Sequence, residues 1–317
     1  MSNPIYLYPD THTYKDKKGR TYISVTTLLG RYEPKFDEKK YDIANACEKI
    51  GRNPSHPKFD KYRGKTAEQL ICEWEAKSIE AAAKGTEKHG YFEDSINGAN
   101  GFGTYVPSKK SKDFRIYTLD EVFDSEYGEL NITLLPESLK VKYPRIYYTL
   151  EVLMNHGYWI FAEVCVFLET PYLISGLVDI FAVNKTNKHF IILDWKTNKK
   201  PIRFEPGYWD TDKDGNIVGW VNNDDRFKYP ISIIPYSIGY KFTLQVSTYA
   251  YLAECMGYTC EGMTIFNTPD IVYGHDTYSP NEFIVPGNPV VNVHPVKYFK
   301  KEVINIISDY TTNRRRS

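Results

Sequence analysis

Gly176–Lys196 reads GLVDIFAVNKTNKHFIILDWK. It has the pattern of a β-hairpin, with Asp179 on its first strand and Asp194 and Lys196 on its second. Strand side chains alternate faces with period two. Phe190, Ile192, Asp194 and Lys196 therefore share one face, and Ile191, Leu193 and Trp195 the other. An acid and a lysine leave the same face at the polar end of an apolar strand, and a second acid comes from the partner strand. Such a seat suits a divalent metal and a phosphate.

The rest of the chain sets the context. At 317 residues, with 42% hydrophobic and 25% charged residues, it can bury a large core as one or two domains. Forty basic residues balance forty acidic ones, so a nucleic-acid contact has to use a local patch rather than bulk charge. The 27 tyrosines, against 4 methionines, suit base stacking, but they also suit strands. The cysteines (47, 72, 165, 255 and 260) form no CxxC pair, and their odd number argues against a disulfide framework. No signal peptide and no bilayer-length apolar run is evident, so the expectation is an intracellular, cytoplasmic protein without a membrane partner.

An N-terminal hairpin is expected from Ile5–Tyr8, His12–Tyr14, the DKKG turn at Asp16–Gly19 and Thr21–Val25. Thr26 or Thr27 would cap a short helix from Leu28. A further helix is expected near Asp42–Ile50. Thr66-Ala-Glu-Gln69 has capping-box spacing and opens a helix to about Ala83. Gly85 interrupts it, and Glu87 to about Ile96 continues. Residues 97–143 and 199–236 read as insertions, and 1–65 as an extension. Pro144–His156 reads as a helix stopped at Gly157. Strands are expected at Trp159–Leu168, Leu173–Val183, His189–Trp195 and Gly262–Asn267, and helices at Phe242–Met256 and Val296–Tyr310, ahead of the basic tail Asn313–Arg316. The whole is an α/β fold, a single domain with a core over about 66–267 and a central sheet flanked by helices.

Four pieces converge if the hairpin carries chemistry. In Gly85-Thr-Glu-Lys-His89, His89 and the later Glu93 share a helix face; alone they also read as an exposed helix end. Glu163 falls on an apolar strand, on the face of Trp159, Phe161, Cys165 and Phe167, where a carboxylate needs a partner; a salt bridge to a neighbouring strand would also supply one. The hairpin gives Asp179, Asp194 and Lys196. Gln245 and Tyr249 are four apart on a helix, as in any amphipathic pair. Mg²⁺ prefers oxygen ligands and Mn²⁺ also accepts a histidine nitrogen. No Walker motif, HExxH or GxSxG competes.

The order GTEKH…Glu163…GLVD…DWK…QVSTY resembles the PD-(D/E)XK nuclease superfamily, in its RecB-like and lambda-exonuclease-like branch. The motifs span about Thr66–Tyr258. HTYKDKKGRTYISVTTLLGRY is also similar to the start of phage-encoded members. The resemblance implies a restriction-endonuclease-like αβββαβ core with a mixed sheet. It implies one or two Mg²⁺ or Mn²⁺ ions held by His89, Asp179, Asp194 and the backbone carbonyl of Trp195, with Glu163 at a second metal or a water. Lys196 would be the catalytic lysine, Gln245 and Tyr249 would position DNA, and Thr86 and Glu93 would support them. The cysteines that frame an iron–sulfur cluster in some relatives are missing, so no cluster is expected.

The function so implied is a metal-dependent DNA exonuclease in phage DNA recombination, repair or processing, acting in the host cytoplasm. It would hold the DNA backbone through Lys109, Lys110, Lys112, Lys199, Lys200 and Arg314–Arg316. A structure-specific endonuclease, a non-catalytic DNA-binding protein on a nuclease scaffold, and an enzyme of small phosphorylated substrates remain open.

Overall fold

The computed structural model describes residues 5–8, 13–34, 36–101, 114–125, 128–269 and 289–316. The chain opens with β1 (Ile5–Tyr8), β2 (Thr13–Asp16), β3 (Thr21–Ser24), α1 (Val25–Gly30), α2 (Phe36–Ile50), α3 (Phe59–Tyr62) and α4 (Ala67–Ala99). Then come β4 (Phe114–Ile116), α5 (Leu119–Asp124), α6 (Glu137–Lys142) and α7 (Pro144–Asn155). Three long strands follow, β5 (Trp159–Leu168), β6 (Ile174–Val183) and β7 (His189–Lys196). A small hairpin, β8 (Gly207–Thr211) and β9 (Ile217–Asn222), precedes α8 (Ile238–Cys255), β10 (Thr259–Asn267), β11 (Asn292–Pro295) and α9 (Lys300–Arg316).

This is an α/β fold with a central mixed sheet. β5, β6 and β7 form an antiparallel meander, while β10 runs parallel to β7 and pairs with β11. One face packs on α4 and α7 through Phe92, Ile146, Leu150, Ile180, Leu193 and Trp195. The other packs on α1, α8 and α9 through Leu28, Phe181, Phe190, Ile192, Leu244 and Val303. Each large side chain so buried contributes roughly 1.5–3 kcal/mol. No helix among the described residues is long and apolar enough to cross a membrane.

β6 is shared along one edge. Its first residues, Ile174 and Ser175, pair with β3, and Ile180–Val183 pair with β7. Gly176–Asp179 therefore lie in a gap between two partners, and the acidic residues gather at this gap.

Several boundaries differ from the sequence expectation for physical reasons. The helix expected to break at Gly85 is continuous over Ala67–Ala99, with Thr66 and Gln69 closing the expected capping box. Gly85 is there for contact: a Cβ on it would lie 3.1 Å from Thr197 Oγ1, just beyond β7. One glycine costs a helix only about 1 kcal/mol, which 33 residues and a packed face absorb. Helix α1 starts at Val25, capped by Ser24 Oγ accepting from the Thr27 amide at 3.0 Å, and not by Thr26 or Thr27. Ser237 caps α8 one turn earlier than expected. Helix α9 begins at Lys300, after Val296 has bonded back to Met263.

The described parts of the two insertions are more structured than their polarity implied. Leu119, Val122, Leu130, Leu135 and Leu139 are buried in the main core. In the second, β8 and β9 close on Asp214-Gly215, with Trp209 and Trp220 edge to face at 5.1 Å. Lys109, Lys110 and Lys112 lie outside the described residues.

Candidate metal centre

Strand register brings the acids together. Ala162 pairs with Ile180 and Val164 with Val178, so Glu163 falls opposite Asp179 on adjacent strands. Continuing the β6–β7 register one step past Ile180↔Leu193 sets Asp179 opposite Asp194. Three acidic residues thus occupy a row of backbone positions across three strands. Like charges directly opposite destabilise a sheet, so the row requires burial as neutral acids, a basic partner or a cation.

The strands distort where the acids meet. Glu163 has φ 54°, in the left-handed region that a non-glycine residue adopts rarely. Before it, Ile160 and Ala162 face α7 and Phe161 faces α8; after it, Val164 and Val166 face α8, while Cys165 and Phe167 join Tyr14 and Tyr22. β6 exchanges faces at the same level, since Phe181 and Val178 both pack toward α8. The expectation that Glu163 shares one face with Trp159, Phe161, Cys165 and Phe167 is therefore corrected. Alternation fails at the glutamate itself, which is how a strand re-aims one side chain.

Helix α4 supplies a candidate nitrogen ligand. Phe92 stacks on Trp195 with centroids 4.4 Å apart and planes at 25°, anchoring the helix to the sheet. One turn earlier on that face, His89 Nδ1 lies 3.7 Å from Asp179 Oδ2. Ligand atoms of His89, Glu163 and Asp179 all lie within 4.8 Å of one another. Two carboxylates and one imidazole suit Mn²⁺ or Mg²⁺ better than a soft metal. Asp179 Oδ2 also accepts from the Trp195 amide at 2.9 Å, tying β6 to the end of β7 where no ladder pair is made.

Asp194 stands beside this group. It is fully buried, and its Oδ2 lies 2.5 Å from Lys196 Nζ. Neither oxygen has a well-aligned hydrogen-bond partner among the described residues, a demand that a cation would satisfy. Burial raises the Asp194 carboxyl above its ordinary range, against the pull of Lys196. Burial would lower Lys196, but Asp194, Asp179 and Glu163 together hold its ammonium above the usual lysine value. Glu163 is pushed well up by burial, then by Asp179, Glu93 and Asp194. Glu93 is pushed up to about 7 by burial, then by Asp94 and Asp179. Burial and like charge thus raise these neighbouring acids together.

The Gln245/Tyr249 pair supports this arrangement from α8. Gln245 Nε2 donates to the Tyr249 hydroxyl at 2.9 Å. Tyr249 is buried, and burial followed by the charge of Asp194 holds its phenol well above the ordinary range. A Cβ on Gly176 would lie 2.4 Å from Tyr249 Cε1, so the glycine in GLVD is what admits the ring. Gly176→Ala is expected to destabilise the fold by about 1–3 kcal/mol through overpacking, measured as a lower urea midpoint with an unchanged slope.

Other expected residues are less central. Thr86 is exposed, and its hydroxyl donates to the Ala82 carbonyl of its own helix at 3.1 Å. Lys199 lines a cleft with Lys77, Lys84, Lys88 and Thr197, whereas Lys200 is half-buried and donates to the Trp209 carbonyl at 3.3 Å. Arg314–Arg316 close α9, and their side chains lie outside the described atoms.

Sequence reasoning missed Asn267. It is buried at the end of β10; its Nδ2 donates to the Lys196 carbonyl at 3.1 Å and its Oδ1 accepts from the Ile202 amide at 3.0 Å. It thereby fixes the end of β7. The signal was an amide at the end of an apolar strand, the position Lys196 takes on β7. Phe242 was missed as well; its ring centre lies 4.8 Å from Lys196 Nζ. No protein-family model matches the chain, and a search of curated proteins returns no significant match.

Proposed function

We propose that the protein is a metal-dependent deoxyribonuclease that hydrolyses phosphodiester bonds from DNA ends. The observation that carries this reading is the group His89, Glu163 and Asp179, within 4.8 Å, next to the buried Asp194–Lys196 pair. The order α4, β5, β6, β7, α8, β10 supports it, being the αβββαβ arrangement expected of a restriction-endonuclease-like core.

His89, Glu163 and Asp179 would hold the ion, with Asp194 beside them. When bound, Mg²⁺ or Mn²⁺ supplies charge at the phosphoryl oxygens and acidifies an attacking water. Lys196 contributes a fixed ammonium to the charge that builds on the phosphate. Asp194 keeps that ammonium protonated, and Asn267 and Phe242 hold its position. Tyr249 and Gln245 brace the Asp194 side of the site from α8. The cleft lined by Lys77, Lys84, Lys88 and Lys199 offers positive charge to the neighbouring backbone, although Lys84 shares its charge with Glu80 at 2.7 Å. Contacts of this kind hold DNA without reading its sequence.

The test is incubation with linear and with supercoiled circular DNA in Mg²⁺ or Mn²⁺. Degradation of the linear form alone, abolished by EDTA, is the expected result. Nicking of the circle would make the protein an endonuclease. DNA binding with no cleavage under any divalent ion would leave a non-catalytic DNA-binding protein on this scaffold.

A further inference from the structure

A second cavity opens on the Asp194 side of the candidate site, two strands beyond β7. It has a volume of about 330 Å³, within the range of small-molecule pockets. Its walls include Phe204, Tyr240, Thr243, His294 and Phe299, with Lys297 exposed at the rim. The rings form one cluster. Phe204 meets Tyr240 edge to face at 5.8 Å and His294 at 5.5 Å, and Tyr240 lies 5.9 Å from Phe299. Gly239 admits Phe204, since a Cβ there would stand 2.6 Å from Phe204 Cδ1.

The place of this cavity is set by strand register. His294 pairs with Ile265 across β11 and β10, and Ile265 pairs with Asp194 across β10 and β7. His294 therefore stands two strands from Asp194, about 10 Å. Phe204 lies on the segment that leaves Lys196, the segment Asn267 holds at Ile202. Tyr240 and Thr243 belong to α8, which also carries Gln245 and Tyr249. A phosphate held at Lys196 would therefore have the base of a neighbouring nucleotide on the side of this cavity.

Resting on the nuclease reading, we propose that this cavity takes one unpaired nucleobase of the strand being cut, next to the scissile phosphate. Phe204, Tyr240 and Phe299 supply ring surface for a flat heterocycle, His294 a polar edge, and Lys297 a charge for the following phosphate. Burial lowers the His294 pKa to about 4, so at neutral pH its ring is uncharged. Stacking on aromatic side chains tolerates any base. The base has to leave its partner to enter, so the preferred substrate is a single strand, an overhang or a frayed end rather than a clamped blunt duplex.

The test uses single-stranded oligonucleotides carrying one abasic site or one 2-aminopurine, moved stepwise past the scissile position. An abasic site at one position is expected to lower kcat/KM about 10-fold, and 2-aminopurine at that position to be quenched on binding in EDTA. Phe204→Ala should lower cleavage of the intact strand by a similar factor and show no further loss with the abasic strand. Should Phe204→Ala fold poorly, the abasic series on the unaltered protein decides alone. Cleavage insensitive to abasic sites at every position, or no position-specific quenching, overturns the pocket and leaves the nuclease reading standing. No cleavage of any DNA overturns both.

Discussion

Lys196→Ala is expected to lower metal-dependent DNA cleavage by about 10³-fold while DNA affinity changes little. Removing one fixed charge from a water-poor site costs roughly 10²–10³ in rate where that charge acts on the transition state. Lys196 has the required placement, nearly buried at the end of β7 with Asp194 Oδ2 at 2.5 Å. The substitution also strands Asp194, and breaking a buried ion pair from one side costs about 3–5 kcal/mol when the remaining charge has no partner. Asp194 has a way out, because its carboxyl is already raised and can take up a proton. The stability loss is therefore expected at the low end of that range. Kinetics and unfolding measured on the same preparation separate the two effects. A folded Lys196→Ala protein cleaving at the original rate would eliminate the role assigned to the lysine. Lys196→Gln, which keeps the stem and a donor, is expected to fold better and cleave no better.

Much of this site was legible because strand periodicity is a local property. Phe190 and Ile192 do pack toward α8 and Leu193 and Trp195 toward α4 and α7, the alternation expected of β7. The His89/Glu93 spacing likewise survives, since a helix face needs only continuity. What was not legible depends on contacts distant in sequence. Gly85 reads as a helix breaker until Thr197, more than a hundred residues later, is seen to approach it. Glu163 obeys no alternation because its backbone turns left-handed opposite Asp179, which one strand alone cannot reveal. Asn267 and Phe204 acquire meaning only after β10 and β11 pair alongside β7. The polar run 97–143 misled for a different reason: its buried leucines are spaced irregularly, and they enter the core from two short helices and the loops between them rather than along one long amphipathic face.

Glu163→Gln provides the second large effect, and its sign differs between metal-free and metal-bound protein. Without metal, Glu163 faces Asp179 across the ladder, and burial with neighbouring acids raises its carboxyl. A group whose folded pKa lies above its unfolded value binds more protons in the native state, so native stability falls as pH rises through that interval. Glu93, pushed up from 4.5 to about 7, sets the window. In EDTA these acids are expected to make unfolding easier at pH 7.5 than at pH 5. Glu163→Gln removes one member, so the metal-free variant should melt about 2–4 °C higher than the parent at pH 7.5, the shift expected for about 1 kcal/mol in a large domain. At pH 5 the difference should shrink. Manganese reverses the order. An ion at 100 times its dissociation constant stabilises the folded state by about 2.7 kcal/mol, and the parent should gain that increment while the variant, lacking one ligand oxygen's charge, gains much less. Calorimetric scans at both pH values, each with EDTA and with Mn²⁺, give the four numbers needed. A variant melting lower than the parent in EDTA would mean Glu163 is satisfied by the fold alone. An equal manganese shift in both proteins would remove Glu163 from the ligand set and leave His89, Asp179 and Asp194 to hold the ion.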